Sequence, residues 1–262
     1  MHNFELVKPT TVEEAVAALQ GDDAQPLSGG QTLIPTMKQR LAGSEQLVSL
    51  TGIASMQGVT ISGSTITIGG ATTHATVSAE VAATYPALSA LAGRIGDPAV
   101  RNRGTIGGSV ANNDPAACYP SAVLASGATV ITNSREIAAD DFFQGMFATD
   151  LEEGEIITAV RFPVPEKASY QKFEQPASRF SLVGVFVAKF ADGVRVAVTG
   201  AGEDGVFRWA EAEAALSANF SAAAVEALDL PSEALISDLH GTAEYRAHLI
   251  KVLTKRGVNE AV

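Results

Sequence analysis

Two glycine-centred segments hold the chemistry this sequence can offer. The first, Ser28-Gly29-Gly30-Gln31-Thr32, lies between a short strand around Pro26–Ser28 and a stretch with helical spacing at Leu33, Ile34, Met37, Lys38 and Leu41. A strand-to-helix turn leaves backbone N–H groups unpaired beside a helix dipole. That favours an anion by about 0.3–1 kcal/mol, and up to ~2 kcal/mol when partly buried. Glycines allow close approach of the backbone. The second segment, Arg103-Gly104-Thr105-Ile106-Gly107-Gly108-Ser109, adds another glycine pair, backbone donors and the Thr105 and Ser109 hydroxyls. Such a nest can hold an anion without a lysine. Each segment also reads as a plain tight turn, strand-to-helix in the first and strand-to-strand in the second. Together they suit a diphosphate held from two sides, and so a dinucleotide. Spacing alone does not choose FAD over NAD, and neither segment is a Walker loop or a GxGxxG fingerprint.

Little else reads as catalytic. There is no GxSxG, no HExxH and no Cys–His dyad in a recognisable context. His74 reads as a loop histidine or a base, and Asp114 and Asp140-Asp141 as caps and turn residues or acids. Arg94, Arg101 and Arg103 read as counter-charges for phosphate or as a solvated basic face. No catalytic residue and no metal site is expected. The single cysteine, Cys118, excludes an intrachain disulfide, a four-cysteine zinc site and an iron–sulfur cluster ligated by this chain's cysteines alone.

The elements that must position these segments follow from length and pattern. The 262 residues suit one to two domains with a real core. Net charge is −11, a poor match for nucleic acid or an anionic membrane. The N-terminus lacks a signal-peptide pattern and no apolar run reaches about 18 residues, so a cytoplasmic setting is expected. Thr10 with Glu13 reads as a capping box for a helix to Gly21. Leu47–Leu50 reads as a strand, and Val59–Ser62 with Thr65–Ile68 as a hairpin about Gly63-Ser64. Val77–Tyr85, Pro86–Leu91 and Pro120–Ser126 read as helices, and Thr129–Thr132 and Ile156–Phe162 as strands. Gly93 to Gly108 is a long, glycine-punctuated stretch containing Arg94, Arg101 and Arg103. Beyond a boundary at Pro163–Pro165, Leu182–Phe190 and Val194–Thr199 form a hairpin about Ala191-Asp192-Gly193. Helices are expected at Arg208–Leu216, Ala222–Leu228 and Tyr245–Arg256, the last stopped by Gly257.

In order along the chain, further segments resemble one family. They are Leu27 to Lys38, Gly70-Ala71-Thr72-Thr73-His74, Arg101 to Ser109 running on to Asn113-Asp114-Pro115-Ala116, and Arg135-Glu136-Ile137 with Asp141-Phe142-Phe143. Glu155 to Pro163, Tyr170-Gln171-Lys172-Phe173, Gly241 to Arg246 and His248-Leu249 complete the set. The sequence resembles the FAD-binding medium subunit of the molybdenum hydroxylases, of the carbon monoxide dehydrogenase and xanthine dehydrogenase type. The resemblance implies an α+β fold. A two-subdomain, PCMH-type FAD-binding domain would occupy residues 1–165, split at about 56/57. A C-terminal domain of a small antiparallel sheet plus helices would occupy 166–262.

The resemblance also implies site residues. Ser28, Gly29, Gly30, Gln31, Thr32 and Leu33 would form one FAD cradle, and Thr105, Ile106, Gly107, Gly108 and Ser109 the other, with Asp114 beyond it. Ile95 and Ile157 would lie near the isoalloxazine ring and Lys172 near its edge. Partners would be a molybdopterin-binding large subunit and a [2Fe-2S] small subunit. Electrons would pass through flavin to NAD+ or another acceptor. Three departures stand out: Cys118 and Arg179 each replace a usual aspartate, and Gln175 replaces a usual arginine. Cysteine is a weak hydrogen-bonding group. The alternative reading is therefore a non-catalytic or assembly module of the same fold with weakened flavin binding.

Overall fold

Three short strands open the chain, β1 (Glu5–Val7), β2 (Ala24–Leu27) and β3 (Gln46–Ser49), with α1 (Val12–Ala18) and α2 (Leu33–Lys38) as the intervening helices. They form a parallel sheet in the order β1-β3-β2. Parallel neighbours need crossovers, and the two helices supply them. The cap of α1 sits one residue later than the Thr10–Glu13 reading. Thr11 Oγ1 accepts the Glu14 N–H at 3.2 Å, and the Glu14 carboxylate reaches back to the Thr10 N–H at 2.8 Å. The computed structural model describes residues 1–262.

A second, antiparallel sheet follows. It comprises β4 (Val59–Ser62), β5 (Thr65–Gly69), β6 (Thr129–Thr132), β7 (Glu136–Ala138) and β10 (Ile157–Pro163), in the order β4-β5-β10-β6-β7. The β4–β5 hairpin turns through Gly63 at φ +57, as its two-residue loop requires. Between β5 and β6 run α3 (His74–Glu80), α4 (Pro86–Gly93), α5 (Pro98–Arg101), α6 (Ile106–Asn112) and α7 (Tyr119–Ala125). The glycine-punctuated stretch 93–108 thus holds α5 and the start of α6. Asp97 and Thr105 cap α5 and α6 within it. Between β7 and β10 lie α8 (Ala139–Phe142) and a small ribbon, β8 (Phe143–Gly145) with β9 (Ala148–Thr149).

The last sheet is an antiparallel meander of β11 (Lys167–Glu174), β12 (Ser181–Phe190), β13 (Gly193–Gly202) and β14 (Gly205–Arg208). The unbroken apolar run of β12 requires cover on both faces, and both are covered. Val183, Val185 and Val187 join a core with Trp209, Ile250 and Leu253. Phe186 and Ala188 face the other way, into the core that holds Tyr85, Leu88 and Val130. The C-terminal sheet therefore shares one core with the middle sheet. Helices α9 (Ala210–Ala218), α10 (Ala222–Glu226) and α11 (Ala243–Glu260) complete the fold. Arg208 belongs to β14, paired with Ala197, rather than to α9. Gly257 does not stop α11. It lies inside the helix, where a Cβ would meet Val187 at 3.1 Å, so close packing on β12 explains it. No helix is long and apolar enough to cross a membrane.

One buried cation ties α11 to the sheet. Arg246, 2% exposed, donates through Nη1 to the carbonyls of Leu182 and Gly200, each at 2.7 Å, and through Nη2 to Asp238 at 2.8 Å. Replacing Arg246→Met leaves two buried carbonyls without donors. Denaturant unfolding is expected to show a loss of about 3–5 kcal/mol; a loss under about 1 kcal/mol contradicts this role.

Candidate functional site

The two glycine segments touch each other. The Ser28 and Thr105 hydroxyls share a hydrogen bond of 2.6 Å. Gly29 lies flat on the backbone of Arg103 and Gly104, where a Cβ would fall 2.2 Å from the Arg103 carbonyl oxygen. Only glycine permits that approach. None of the six backbone N–H groups of residues 28–33 donates within the protein; the Ile34 N–H is the first that does, to the Gly30 carbonyl at 3.2 Å. The second segment behaves differently. The Ile106 N–H donates to Thr72 O at 3.1 Å, and Gly107 to Gly70 O at 2.9 Å. Gly108 donates to the Thr105 hydroxyl at 3.2 Å, and Ser109 to Thr105 O at 3.0 Å. Free amides on both sides are therefore found on one side only. On the other, the Thr105 cap and neighbouring carbonyls consume the donors.

Between the segments opens a cavity of about 740 Å³. That lies in the upper part of the roughly 300–1,000 Å³ range of small-molecule sites. Residues 28–33 line it, with Ile95, Thr105, Gly107, Gly108, Ser109, Asp114, Ile157 and Lys172. Ile106 does not: its side chain is fully buried in the core. Asp114 shapes the wall by accepting the Ala116 N–H at 2.8 Å. Lys172 is buried, and its Nζ donates to Arg94 O at 2.9 Å, while Arg94 Nη2 donates back to Lys172 O at 2.9 Å. Arg94 also pairs with Glu174 at 3.1 Å. Arg101 Nη1 holds the carbonyls of Ile95 and Gly96, at 3.1 and 2.9 Å. Arg94, Arg101 and Arg103 do not line the cavity. Two of them brace its wall instead of forming a basic face.

Several lining residues carry no site signal in the sequence: Glu155, Ile156, Ser178 and Phe180; His74, which reads as a loop histidine or a base, lines the cavity as well. Cys118 and Arg179, noted only as departures, line it too. Cys118 is buried, its Sγ 3.7 Å from the Ser181 hydroxyl. Glu155 is the anchor of the loop that precedes Ile156 and Ile157. Its carboxylate accepts from the Thr132 hydroxyl at 2.6 Å, the Glu152 N–H at 2.8 Å, the Ser134 hydroxyl at 2.9 Å, and Arg135 Nε and Nη2 at 3.0 Å each. Arg135 reaches on to Asp150 at 2.9 Å. Burial alone would raise the Glu155 pKa; the Arg135, Glu152, Thr132 and Ser134 donors outweigh it and hold it at about 2. The signal for this network was present in Arg135 and Glu155, but a sequence does not say which cation meets which acid. Past Glu155, the chain meets Gly70, where a Cβ would lie 2.1 Å from Ile157 O. Gly70 in turn accepts from Gly107, so one line of contacts joins Glu155 to the second glycine segment.

Residues 2–165 match the family model described as the FAD binding domain in molybdopterin dehydrogenase. The chain belongs to this family. It is an FAD-binding oxidoreductase component. The carbon monoxide dehydrogenase medium chain of Afipia carboxidovorans is 33% identical, over 99% of this chain and 96% of that one. The nicotine 6-hydroxylase medium subunit of Paenarthrobacter nicotinovorans is 36% identical, over 97% and 95%. Among solved structures, Cu,Mo-CO dehydrogenase superposes with a TM-score of 0.86 at 31% identity, covering 98% of this chain and 96% of that one. Quinoline 2-oxidoreductase from Pseudomonas putida 86 gives 0.88 at 28%, covering 99% and 96%. The observed sheets and helices are the α+β fold expected of this family. The unpaired amides and the isoleucine-lined cavity fit a dinucleotide with a flat apolar ring.

The Glu155 network yields a pH signature. Its folded pKa of about 2 lies below the ordinary 4.5, so it stabilises the fold fully above about pH 4.5 and progressively less as pH falls toward 2. Glu155→Gln is expected to cost about 2–3 kcal/mol at pH 7 by denaturant unfolding. The gap to the wild type should narrow between pH 4.5 and 2. A gap that stays constant with pH would rule out the charge as its source.

Proposed function

We propose that this chain is the flavin-carrying medium subunit of a molybdenum hydroxylase complex. It would take electrons from the [2Fe-2S] clusters of a small partner subunit and deliver them to NAD+ or another acceptor, while a molybdopterin-binding large subunit oxidises the organic substrate. The observation that carries the reading is the run of six unspent amides at residues 28–33 on the cavity wall. Bound FAD supplies the redox chemistry, accepting electrons and giving them up again; the protein supplies position and electrostatics. The amides of 28–33 hold the diphosphate. Thr105 and Ser109 add hydroxyls, and Asp114 fixes the turn beyond them. Ile95 and Ile157 would keep water from the ring, and Lys172 would place a positive charge near its edge. Residues 1–165 form the FAD-binding domain, split near 56/57, and 166–262 the C-terminal domain whose β11–β12 hairpin closes the cavity. Relatives named as medium chains support a multi-subunit complex. A module with weakened flavin binding is the less favoured reading, because the free amides of 28–33 and the cavity beside them are both present.

The purified full chain is expected to be yellow, with about one FAD per chain, and unable by itself to oxidise an organic hydroxylase substrate. Substrate oxidation by this polypeptide alone would refute the division of labour. Gly29→Ala, which forces the two segments apart, should weaken FAD binding at least about tenfold, or about 1.4 kcal/mol. Fluorescence titration with FAD reads this directly, and undiminished binding would remove the cradle from the account. Bleaching of the flavin by NADH tests the NAD+ route.

A further inference from the structure

One cavity-lining side chain has no task in that reading. His74 opens α3 behind its Thr73 cap and is 4% exposed. Its ring packs on Tyr119, with centroids 5.3 Å apart, and there Nδ1 is sealed with no hydrogen-bond partner. Nε2 also has no partner in the protein, yet it is not sealed: it opens into the cavity. Gly104 keeps it open. A Cβ at that position would sit 2.6 Å from Nε2 and cover it. The same Gly104 carries the contact with Gly29, and its carbonyl accepts the His74 N–H at 2.9 Å. The imidazole nitrogen therefore stands at the seam of the two glycine segments, next to the free amides.

The ring's protonation follows from its surroundings. Burial first, and then the Arg101 charge, lower its pKa to about 4, so the ring is neutral at pH 7. A neutral imidazole carries one N–H. A buried N–H without an acceptor is rarer than an acceptor without a donor. The proton therefore belongs on Nε2, the nitrogen with access to a ligand.

We infer that His74 is a further ligand-binding residue, whose Nε2–H donates to a phosphate oxygen of the dinucleotide held at this seam. The inference rests on the proposed flavin site. It explains why Gly104 is glycine in a place where no turn needs one. The donor is neutral and its acceptor charged, a pairing that is strong for a hydrogen bond.

The test uses the full chain stripped of flavin and titrated with FAD, ADP and riboflavin. His74→Phe keeps the ring packing on Tyr119 and removes the donor. It should weaken FAD and ADP alike, by about tenfold to a hundredfold, and leave riboflavin unchanged. His74→Gln, which restores an N–H, should recover most of the loss. Unchanged FAD and ADP binding, or a loss shared by riboflavin, overturns the inference. A wild-type chain that binds no FAD would instead defeat the flavin reading itself. If His74→Phe does not fold, nitrogen-15 spectra of the wild-type histidines decide: ADP should shift the His74 Nε2 resonance, and no shift overturns the inference.

Discussion

The site depends on one contact, backbone against backbone, between Gly29 and the Arg103–Gly104 peptide. A side chain at residue 29 would hold the two segments apart and open the seam on which the cavity is built. The contact has a second brace in the Ser28–Thr105 hydroxyl pair and a third in the approach of Gly108 to Ser28. Glycine in this region serves mainly to bring main chains together. Gly70, pressed between Ile157 and Gly107, does the same on the far wall. The conformational entropy lost by fixing glycines is offset by contacts that no larger residue can make.

The arrangement divides labour unevenly between two segments that look alike in sequence. Both have a glycine pair and nearby hydroxyls. Only the first leaves its amides free: they precede or open α2, where first-turn N–H groups have no carbonyl four residues back inside the helix. The second is drawn into α6, whose Thr105 cap and the carbonyls of Gly70 and Thr72 take every early N–H. The positive side of the site is thus provided by 28–33, and the second segment supplies shape, a hydroxyl and a brace. Lys172 on β11 and Arg94 at the end of α4 add a reciprocal clamp between the C-terminal sheet and the cavity wall.

Much of this was legible in the residues. The β4–β5 turn at Gly63-Ser64, the β12–β13 turn at Ala191-Asp192 and the two glycine segments follow from local chemistry. What stayed hidden is non-local. Gly107 and Gly108 are poor helix formers and read as a turn, yet α6 forms with its early N–H groups taken by Gly70 and Thr72 from outside the helix. Gly257 looked like a stop because its contact with Val187 lies across the fold. Lys167–Glu174 mixes polar and apolar residues and shows no strand pattern by itself; only pairing with β12 makes it β11. His74 and Glu155 gave no spacing signal, since their importance lies in which atoms lack or share partners.

The Phe186 face of β12 sits in the same core as the middle sheet, while the Lys172 end of β11 borders the cavity. Occupancy of the site and cohesion of the two halves are therefore thermodynamically linked. A ligand that binds only the assembled form raises the free energy of separating them, by an amount that grows with the logarithm of its concentration. Folding of the C-terminal half is in this sense a co-ligand of the dinucleotide, and a lesion far from the cavity, in the packing of α11 on β12, would surface as a loss of colour.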